Sequence, residues 1–292
     1  MDSYKSQRLF FVLSAFLQLV RFQNLLIMAL TQYLTAIFLV GPKTDWILYI
    51  KNPELFLLVF STCLIAGAGY IINDYYDVKI DAINKPQRLI IDRVIRRREA
   101  ILLHFLFSFF GVLMSLVVSY KIGLVTLLAT SLLWYYSNDM KRRPLSGNLA
   151  VAVLSGLAVF IVAFLFKKNY LLVGVYVIFS MLLSVIREIV KDMEDIKGDH
   201  VFGCNTLPIK LGLRKTKLIV YFFTSILALF NITLALYFKE LNFFKVLAFC
   251  VVIFSLLFMY FLYRADTRKA YSELSLMCKI MMLFGIISMI WI

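Results

Sequence analysis

The feature that most constrains this chain is a series of long apolar runs. The clearest is residues 55–72, LFLLVFSTCLIAGAGYII, which hold no charged side chain. A helix needs about 20 apolar residues to cross the hydrocarbon core of a bilayer. The 292-residue chain is 62% hydrophobic, well above the fraction in a soluble domain. Its sequence lacks the polar–apolar alternation of a membrane barrel. It therefore predicts an all-α, polytopic membrane protein.

The apolar runs define nine predicted membrane spans. They lie at residues 9–40, 54–72, 99–119, 122–138, 148–166, 170–190, 217–238, 243–263 and 274–291. The first is long and is interrupted by the polar residues Arg21, Gln23 and Asn24. The connecting segments are too short to hold a soluble domain, so residues 1–292 are predicted to form a single helical bundle.

Basic residues are distributed unevenly between alternate loops. The net charge is +14, and a cytoplasmic N-terminus places most Lys and Arg residues in cytoplasmic segments. The opposite loops hold only Lys43, Lys51, Lys121, Lys167, Lys168, Lys239 and Lys245. Lys and Arg concentrate on the cytoplasmic side of membrane proteins. The bias therefore predicts a cytoplasmic N-terminus in the inner or plasma membrane, and it accounts for the charge without a nucleic acid partner.

An acidic motif follows directly on the second apolar run. Asp74, Asp77 and Asp81 lie at i, i+3 and i+7 within NDYYDVKIDAINKPQR, residues 73–88. If the second helix continues past Ile72, this spacing puts all three carboxylates on one face. Like charges at a membrane border repel one another, so a cation is required among them. Clustered oxygen ligands suit Mg²⁺. The alternative is a solvated cap on the helix.

A second acidic motif repeats this spacing four spans later. Asp192, Asp195 and Asp199 lie at i, i+3 and i+7 within REIVKDMEDIKGD, residues 187–199, with Glu194 between them. Both motifs fall on the predicted cytoplasmic side. A repeat of one acidic pattern on the same predicted side favours a shared chemical role over two unrelated caps.

Two Mg²⁺-binding carboxylate motifs suit a diphosphate substrate, because the metal neutralises charge that develops on a departing diphosphate. Basic residues near the motifs add donors for phosphate oxygens: Lys85, Arg88, Lys141, Arg142 and Lys197. An apolar bundle beside them accommodates a long hydrocarbon chain. Together these features predict a lipid diphosphate as substrate, with membrane lipid around the protein.

These motifs resemble those of the UbiA superfamily of intramembrane prenyltransferases. The likeness rests on N-D-x-x-D-x-x-x-D followed by N-K-P-x-R, on the second acidic motif and on the span count, and it covers nearly the whole chain. Arg21-Phe22-Gln23-Asn24 and YYSNDMKRRPLSGN, residues 135–148, are similar to the family's polar first-span stretch and its tyrosine–lysine segment. REIVKDMEDIKGD and NTLPIKLG most resemble the digeranylgeranylglyceryl phosphate synthase branch, which transfers geranylgeranyl to a glycerol-phosphate lipid.

The resemblance implies a central prenyl-diphosphate cavity that opens to the cytoplasmic side, and it implies roles for individual residues. The Mg²⁺ ligands would be Asp74, Asp77, Asp81, Asp192, Asp195 and Asp199. Those with catalytic roles would be Asp74, Asp77, Asp195 and Asp199. Substrate contacts would come from Asn24, Asn73, Lys85, Arg88, Tyr136, Lys141, Arg142 and Lys197. The diphosphate would leave, and an acceptor nucleophile would attack C1 of the resulting allylic cation.

The identity of the acceptor stays open in the sequence. The family commonly continues R-P-I-P-S-G after its first motif, whereas this chain reads RLIIDR, residues 88–93. An aromatic acceptor of the 4-hydroxybenzoate, dihydroxynaphthoate or chlorophyllide type is the alternative to a lipid. A cation transporter is the alternative outside enzymology, but its carboxylates should lie near the bilayer midplane on broken helices.

Several side-chain roles also stay open. A glycerol hydroxyl needs a base, for which Asp195 and Glu194 are both candidates. Arg187 either pairs with an aspartate or serves a functional role, as ionisable residues in membrane segments do. Asp192 either binds metal or pairs with Lys191 or Lys197 on the surface.

Overall fold

We analysed a computed structural model that describes residues 2–238 and 242–292, with side chains from Phe10 onward except that of Arg88. Nearly all of these residues are helical, and within the described ranges the only extended pairing is an isolated bridge between Ile91 and Ile95. The predicted all-α fold is confirmed. The helices group into two compact units, one of Met1–Tyr33 and Trp46–Asp139, the other of Leu34–Asp45 and Met140–Ile292.

The first unit is built around one long helix. Its helices are α1 (Asp2–Leu19), α2 (Phe22–Leu34), α3 (Trp46–Ile50), α4 (Pro53–Asn84), α5 (Arg97–Val118) and α6 (Tyr120–Asn138). Helix α4 begins where the Asn52 side chain accepts a hydrogen bond from the Leu55 backbone N–H at 2.9 Å, with Pro53 in the first turn. This is the usual chemistry of a helix start. It ends at Asn84, and the capping residue Lys85 has an extended φ of −141° and precedes Pro86.

The second unit is built around a helix that is buried on several sides. Its helices are α7 (Ser146–Phe166), α8 (Tyr170–Glu194), α9 (Ile196–Val201), α10 (Leu207–Tyr237), α11 (Asn242–Arg264) and α12 (Arg268–Ser288). Leu183, Ile186 and Ile189 of α8 belong to one buried cluster that also includes Val220 of α10 and Leu274 of α12. A π-helix at Thr35–Val40 belongs to the same unit.

Eight helical segments in the described part of the chain are long and apolar enough to cross a membrane. They correspond to eight of the nine predicted spans. The predicted fourth span at 122–138 is present as the 19-residue helix α6, which is not among the eight. The number of membrane crossings therefore stays a prediction, while the sequence positions of the nine helices agree with the apolar pattern.

The first predicted span is divided into two helices at its predicted polar interruption. Helices α1 and α2 are separated at Arg21, whose φ of +50° lies in the left-handed region. A non-glycine residue rarely adopts this conformation unless its surroundings compensate for it. The compensation lies in the contacts of the Arg21 side chain, which belong to the first acidic motif.

Candidate functional site

The first acidic motif occupies the last turns of α4. Because α4 continues without a break from Pro53 to Asn84, Asp74, Asp77 and Asp81 lie on one face of a regular helix. The helix therefore continues past Ile72, which was the condition for the predicted arrangement. Side chains of all three aspartates are partly buried, so their charges are only partly solvated.

Arg21 supplies a positive charge to this motif from the turn between α1 and α2. Its Nη2 donates to Asp74 Oδ1 at 2.9 Å, and its guanidinium lies 4.7 Å from the centre of the Tyr70 ring. Tyr70 and Asp74 are one turn apart on α4, so one arginine contacts both. The strained backbone at Arg21 thus aims a cation at the motif. The sequence indicates the polar interruption at Arg21, but its residue spacing gives no signal for this partner.

Asn73 contacts the motif from within the same helix. Its Nδ2 donates to Asp77 Oδ2 at 3.0 Å, a pairing that the i, i+4 spacing allows. The other predicted substrate-binding residues of this unit are spread over several elements. Asn24 lies in the first turn of α2, Lys85 directly follows α4, and Tyr136 lies in the last turn of α6. The side chain of Arg88 lies outside the described residues.

The segment that departs from the family pattern forms a tight turn. Asp92 has φ of +69°, and its backbone N–H donates to the Ile95 carbonyl at 3.0 Å. Ile91 and Ile95 are buried in a cluster with Leu19, Val20, Ile71 and Ala100. Ile91, which replaces the second expected proline, therefore anchors the turn against α4 by apolar contact.

The second acidic motif is divided between two helices. Helix α8 ends at Glu194, Asp195 has φ −97° and ψ 7°, and the six-residue α9 begins at Ile196. Asp192 therefore lies on α8 and Asp199 on α9, with Asp195 at the junction. The equal spacing of the two motifs in sequence corresponds to two different backbone conformations.

Asn148, in the first turn of α7, contacts the second motif from another helix. Its Nδ2 donates to Asp192 Oδ2 at 2.8 Å, and its side chain is buried. The predicted alternative in which Asp192 pairs with Lys191 or Lys197 is wrong. No residue spacing marks Asn148 for this role, although it is the last residue of the segment YYSNDMKRRPLSGN, which resembles a family motif.

A short turn at Met140–Arg142 carries the predicted phosphate-binding residues Lys141 and Arg142. The Arg142 carbonyl accepts a hydrogen bond from the Asn205 backbone N–H at 2.7 Å. A Cβ atom on Gly147 would lie 2.8 Å from Lys141 Cα, so this turn approaches α7 closely only because residue 147 is glycine. The turn is thus fixed by backbone contacts, whereas Lys197 extends from the exposed side of α9.

Arg187 pairs with a glutamate, so the alternative in which it pairs with an aspartate is wrong. Its Nη1 donates to Glu188 Oε1 at 2.8 Å, and Lys191 Nζ donates to Glu188 Oε2 at 2.9 Å. All three residues lie on α8 within two turns before Asp192. Asp192 and Lys191 are neighbours in sequence, yet Asp192 accepts a hydrogen bond from Asn148 whereas Lys191 pairs with Glu188.

The donor chemistry of the two motifs suits Mg²⁺. Both supply carboxylate oxygens, and neither aspartate set includes a cysteine or histidine that would favour a softer metal. Among the described residues, no three His, Cys, Asp or Glu side chains converge on one point. Mg²⁺ is commonly held by one or two carboxylates together with water and substrate phosphate oxygens. A metal that binds together with a phosphorylated substrate therefore fits this arrangement.

Comparison with known sequences agrees with the family resemblance of the motifs. Residues 25–283 match the UbiA prenyltransferase family. The chain is 32% identical to digeranylgeranylglyceryl phosphate synthase of Methanosphaera stadtmanae over 81% of this chain and 87% of that protein. It is 37% identical to the enzyme of that name from Saccharolobus solfataricus over 70% of this chain and 71% of that protein.

Comparison with solved structures confirms the fold. A digeranylgeranylglyceryl phosphate synthase structure aligns with a TM-score of 0.71 and 24% identity, over 96% of this chain and 97% of the other. A UbiA homologue from Archaeoglobus fulgidus bound to DMAPP and Mg²⁺ aligns with a TM-score of 0.64 and 15% identity, over 94% and 98% of the two chains. The resemblance predicted from the motifs is therefore confirmed for both sequence and fold.

Proposed function

Because the chain belongs to the UbiA prenyltransferase family, we propose that it transfers a prenyl group from a prenyl diphosphate to a lipid acceptor, with release of diphosphate. The favoured acceptor is geranylgeranylglyceryl phosphate and the favoured donor is geranylgeranyl diphosphate. One observation carries this choice: the similarity to digeranylgeranylglyceryl phosphate synthases extends over 81% of this chain and 87% of the relative from M. stadtmanae.

The two acidic motifs are the proposed Mg²⁺-binding elements. Asp74, Asp77 and Asp81 on α4 are the proposed ligands of one ion, and Asp192, Asp195 and Asp199 those of another, with one or two carboxylates of each set bound to the metal directly and the rest through water. The bound metal would neutralise the negative charge that develops on the leaving diphosphate. Asn73 and Asn148 keep one carboxylate of each motif oriented through hydrogen bonds of 3.0 and 2.8 Å.

The surrounding residues bind and orient the substrates. Lys85, Arg88, Lys141, Arg142 and Lys197 are proposed to contact phosphate oxygens, with Asn24 and Tyr136 beside the substrate. Catalysis is assigned to the carboxylates of Asp74, Asp77, Asp195 and Asp199. The bond between prenyl C1 and the diphosphate oxygen breaks, and an ether bond forms between C1 and the acceptor hydroxyl oxygen. The hydroxyl proton passes to a base, for which Asp195 and Glu194 are the candidates.

The protein is an integral membrane protein, and we propose a cytoplasmic N-terminus in the plasma membrane. The basic residues support this orientation, because they concentrate in the segments that a cytoplasmic N-terminus places inside. Both acidic motifs would then be reached from the cytoplasm, where a water-soluble diphosphate headgroup is available. We also propose that residues 1–292 act as one prenyltransferase domain, since the family match spans 25–283.

A reconstituted assay tests this proposal. Purified protein would receive geranylgeranyl diphosphate, Mg²⁺ and, in separate reactions, geranylgeranylglyceryl phosphate, 4-hydroxybenzoate or 1,4-dihydroxy-2-naphthoate. We expect a prenylated product with the lipid, and none in Asp74→Ala and Asp195→Ala variants. Asp266→Asn is the control, because Asp266 is highly exposed and pairs with Lys217 outside both motifs.

Two outcomes would overturn the proposal. Product formed only with an aromatic acceptor would replace the lipid by that acceptor. Failure to form product with any acceptor, together with diphosphate release that is the same in the wild type and in both motif variants, would exclude prenyl transfer at these motifs.

A further inference from the structure

A buried glutamate on α8 holds two cations beside the second acidic motif. The Glu188 side chain is 7% exposed, whereas those of Arg187 and Lys191 are 20% and 28% exposed. Each Glu188 oxygen accepts from a different cation, at 2.8 and 2.9 Å. The carboxylate is therefore enclosed, and the two positive groups form the accessible part of the cluster.

This cluster carries more positive than negative charge. Arg187 and Lys191 contribute two positive charges against one negative charge on Glu188. The next carboxylate along the helix, that of Asp192, interacts electrostatically with Lys191 and Glu188, but its hydrogen bond comes from Asn148 and its proposed role is to bind Mg²⁺. Ionisable side chains in an apolar helical segment are costly and are generally retained for a function. With the Asp192 carboxylate committed to the metal, Arg187, Glu188 and Lys191 together keep an excess positive charge, which suits an anion.

The geometry of the donors also points to an anion. Arg187 uses Nη1 for Glu188, and its buried Nε has no hydrogen-bond partner among the described residues. A buried N–H without an acceptor is destabilising, so such groups are usually completed by water or a ligand oxygen. An arginine fork beside a lysine ammonium group is well suited to phosphate oxygens.

We propose that Arg187 and Lys191 form a phosphate-binding subsite, fixed in place by Glu188, for the phosphate monoester of the lipid acceptor. This inference rests on the proposed prenyl transfer to a phospholipid acceptor. The subsite precedes the second acidic motif on α8, with Arg187 about 7 Å along the helix axis from Asp192. A phosphate bound there would place the acceptor beside the motif without requiring the carboxylates that are assigned to the metal.

The donor diphosphate is the other possible source of phosphate oxygens. In the proposed mechanism, Mg²⁺ bound at the two acidic motifs neutralises the negative charge of the diphosphate. No metal is assigned to the acceptor phosphate. A monoester dianion in a low-dielectric environment requires positive partners. The cluster supplies them and thereby distinguishes a phosphorylated lipid from an uncharged one.

Paired acceptors separate these possibilities. Transfer would be measured with geranylgeranylglyceryl phosphate and with its dephosphorylated form, geranylgeranylglycerol, in the wild type and in Arg187→Gln and Lys191→Gln variants. We expect each variant to raise KM for the phosphorylated acceptor at least about tenfold. The kcat/KM for geranylgeranylglycerol should change less than threefold, so the preference for phosphate should collapse. Lys191→Arg keeps the positive charge, so this variant should retain most of the preference for the phosphorylated acceptor.

Two controls detect misfolding of the variants and changes in their binding of the prenyl diphosphate donor. Lys217→Gln removes a lysine of the same unit that pairs with Asp266, and it should leave both KM values unchanged. Binding of geranylgeranyl diphosphate with Mg²⁺ should change less than twofold in the two variants. A tenfold loss of donor binding with an unchanged acceptor KM would assign the cations to the diphosphate and overturn the proposal. An equal loss of kcat/KM for both acceptors would assign Arg187 and Lys191 a structural role, and it would also overturn the proposal.

Direct binding keeps the inference testable if no transfer occurs. Thermal stabilisation of the detergent-solubilised protein by geranylgeranylglyceryl phosphate should be larger than by geranylgeranylglycerol, and the difference should disappear in Lys191→Gln. Absence of transfer in the wild type would count against the proposed function, whereas equal stabilisation by the two lipids would count against the subsite.

Discussion

The first acidic motif lies on the last turns of a single 32-residue helix, whereas the second is divided between two helices that meet at Asp195. In the first motif, one regular helix sets the relative directions of the three carboxylates, and Arg21 and Asn73 contact two of them. In the second, orientation depends on a junction and on Asn148, which reaches Asp192 from α7. The same i, i+3, i+7 spacing can thus have its carboxylates oriented by one continuous helix, or by a helix junction together with side-chain contacts.

The largest expected effect tests whether the two motifs are equivalent in catalysis. Asp81→Asn and Asp199→Asn change the last carboxylate of each motif and keep its shape. We expect each to lower kcat at least about 100-fold, because each removes a charge that stabilises the leaving diphosphate through bound Mg²⁺. Initial rates at saturating Mg²⁺ measure this. If Asp199→Asn retained activity within threefold while Asp81→Asn did not, only the continuous motif would be catalytic.

The second prediction tests the continuity of the backbone. Lys79 and Lys197 occupy matching positions in the two motifs, and both are exposed. Lys79→Pro interrupts α4 and should lower the free energy of unfolding by about 3 kcal/mol relative to Lys79→Ala. Lys197→Pro lies in the first turn of α9, as Pro208 does in α10, and should cost much less relative to Lys197→Ala. Thermal unfolding in detergent compares the four variants, and equal losses would contradict the difference.

The third prediction concerns the amide contacts. Asn148→Ala removes a contact between helices, and we expect the Mg²⁺ concentration for half-maximal activity to rise about tenfold. Asn73→Ala removes a contact within α4 and should have a smaller effect, since the helix still orients Asp77. Mg²⁺ titrations of activity give both values. Asn231→Ala is the control, because this buried asparagine bonds only within α10 among the described contacts. A larger shift for Asn73→Ala would reverse the comparison.

The smallest expected effect concerns close packing in the two units. A Cβ on Gly147 would meet backbone atoms, Lys141 Cα at 2.8 Å and the Met140 carbonyl oxygen at 3.0 Å. A Cβ on Gly69 would meet only the Leu133 side chain, at 2.9 Å, which can move. Gly147→Ala should cost about 1 kcal/mol in unfolding free energy and Gly69→Ala less. Denaturation curves of both variants test this, and a greater loss for Gly69→Ala would contradict it.

Sequence predicted the helices because their apolar runs are long, and it predicted the face of α4 because a 3.6-residue period fixes where Asp74, Asp77 and Asp81 point. It indicated the polar interruption at Arg21, but it did not predict the left-handed backbone there or the contact with Asp74. That break depends on a left-handed backbone conformation stabilised by residues far along the chain. The same limit applies to Asn148 and to Glu188, whose partners are selected by packing and not by spacing.

The uninterrupted length of α4 has a consequence for how this protein can change during evolution. Losing or gaining a single residue between Pro53 and Asp81 would rotate the carboxylates by about 100° relative to the buried surface of the helix. Loops elsewhere can vary in length, but viable descendants must preserve the residue count of this helix or shift it by whole turns. The number of residues from Asn52 to Asp81 is thus constrained by the same site geometry as the aspartates themselves.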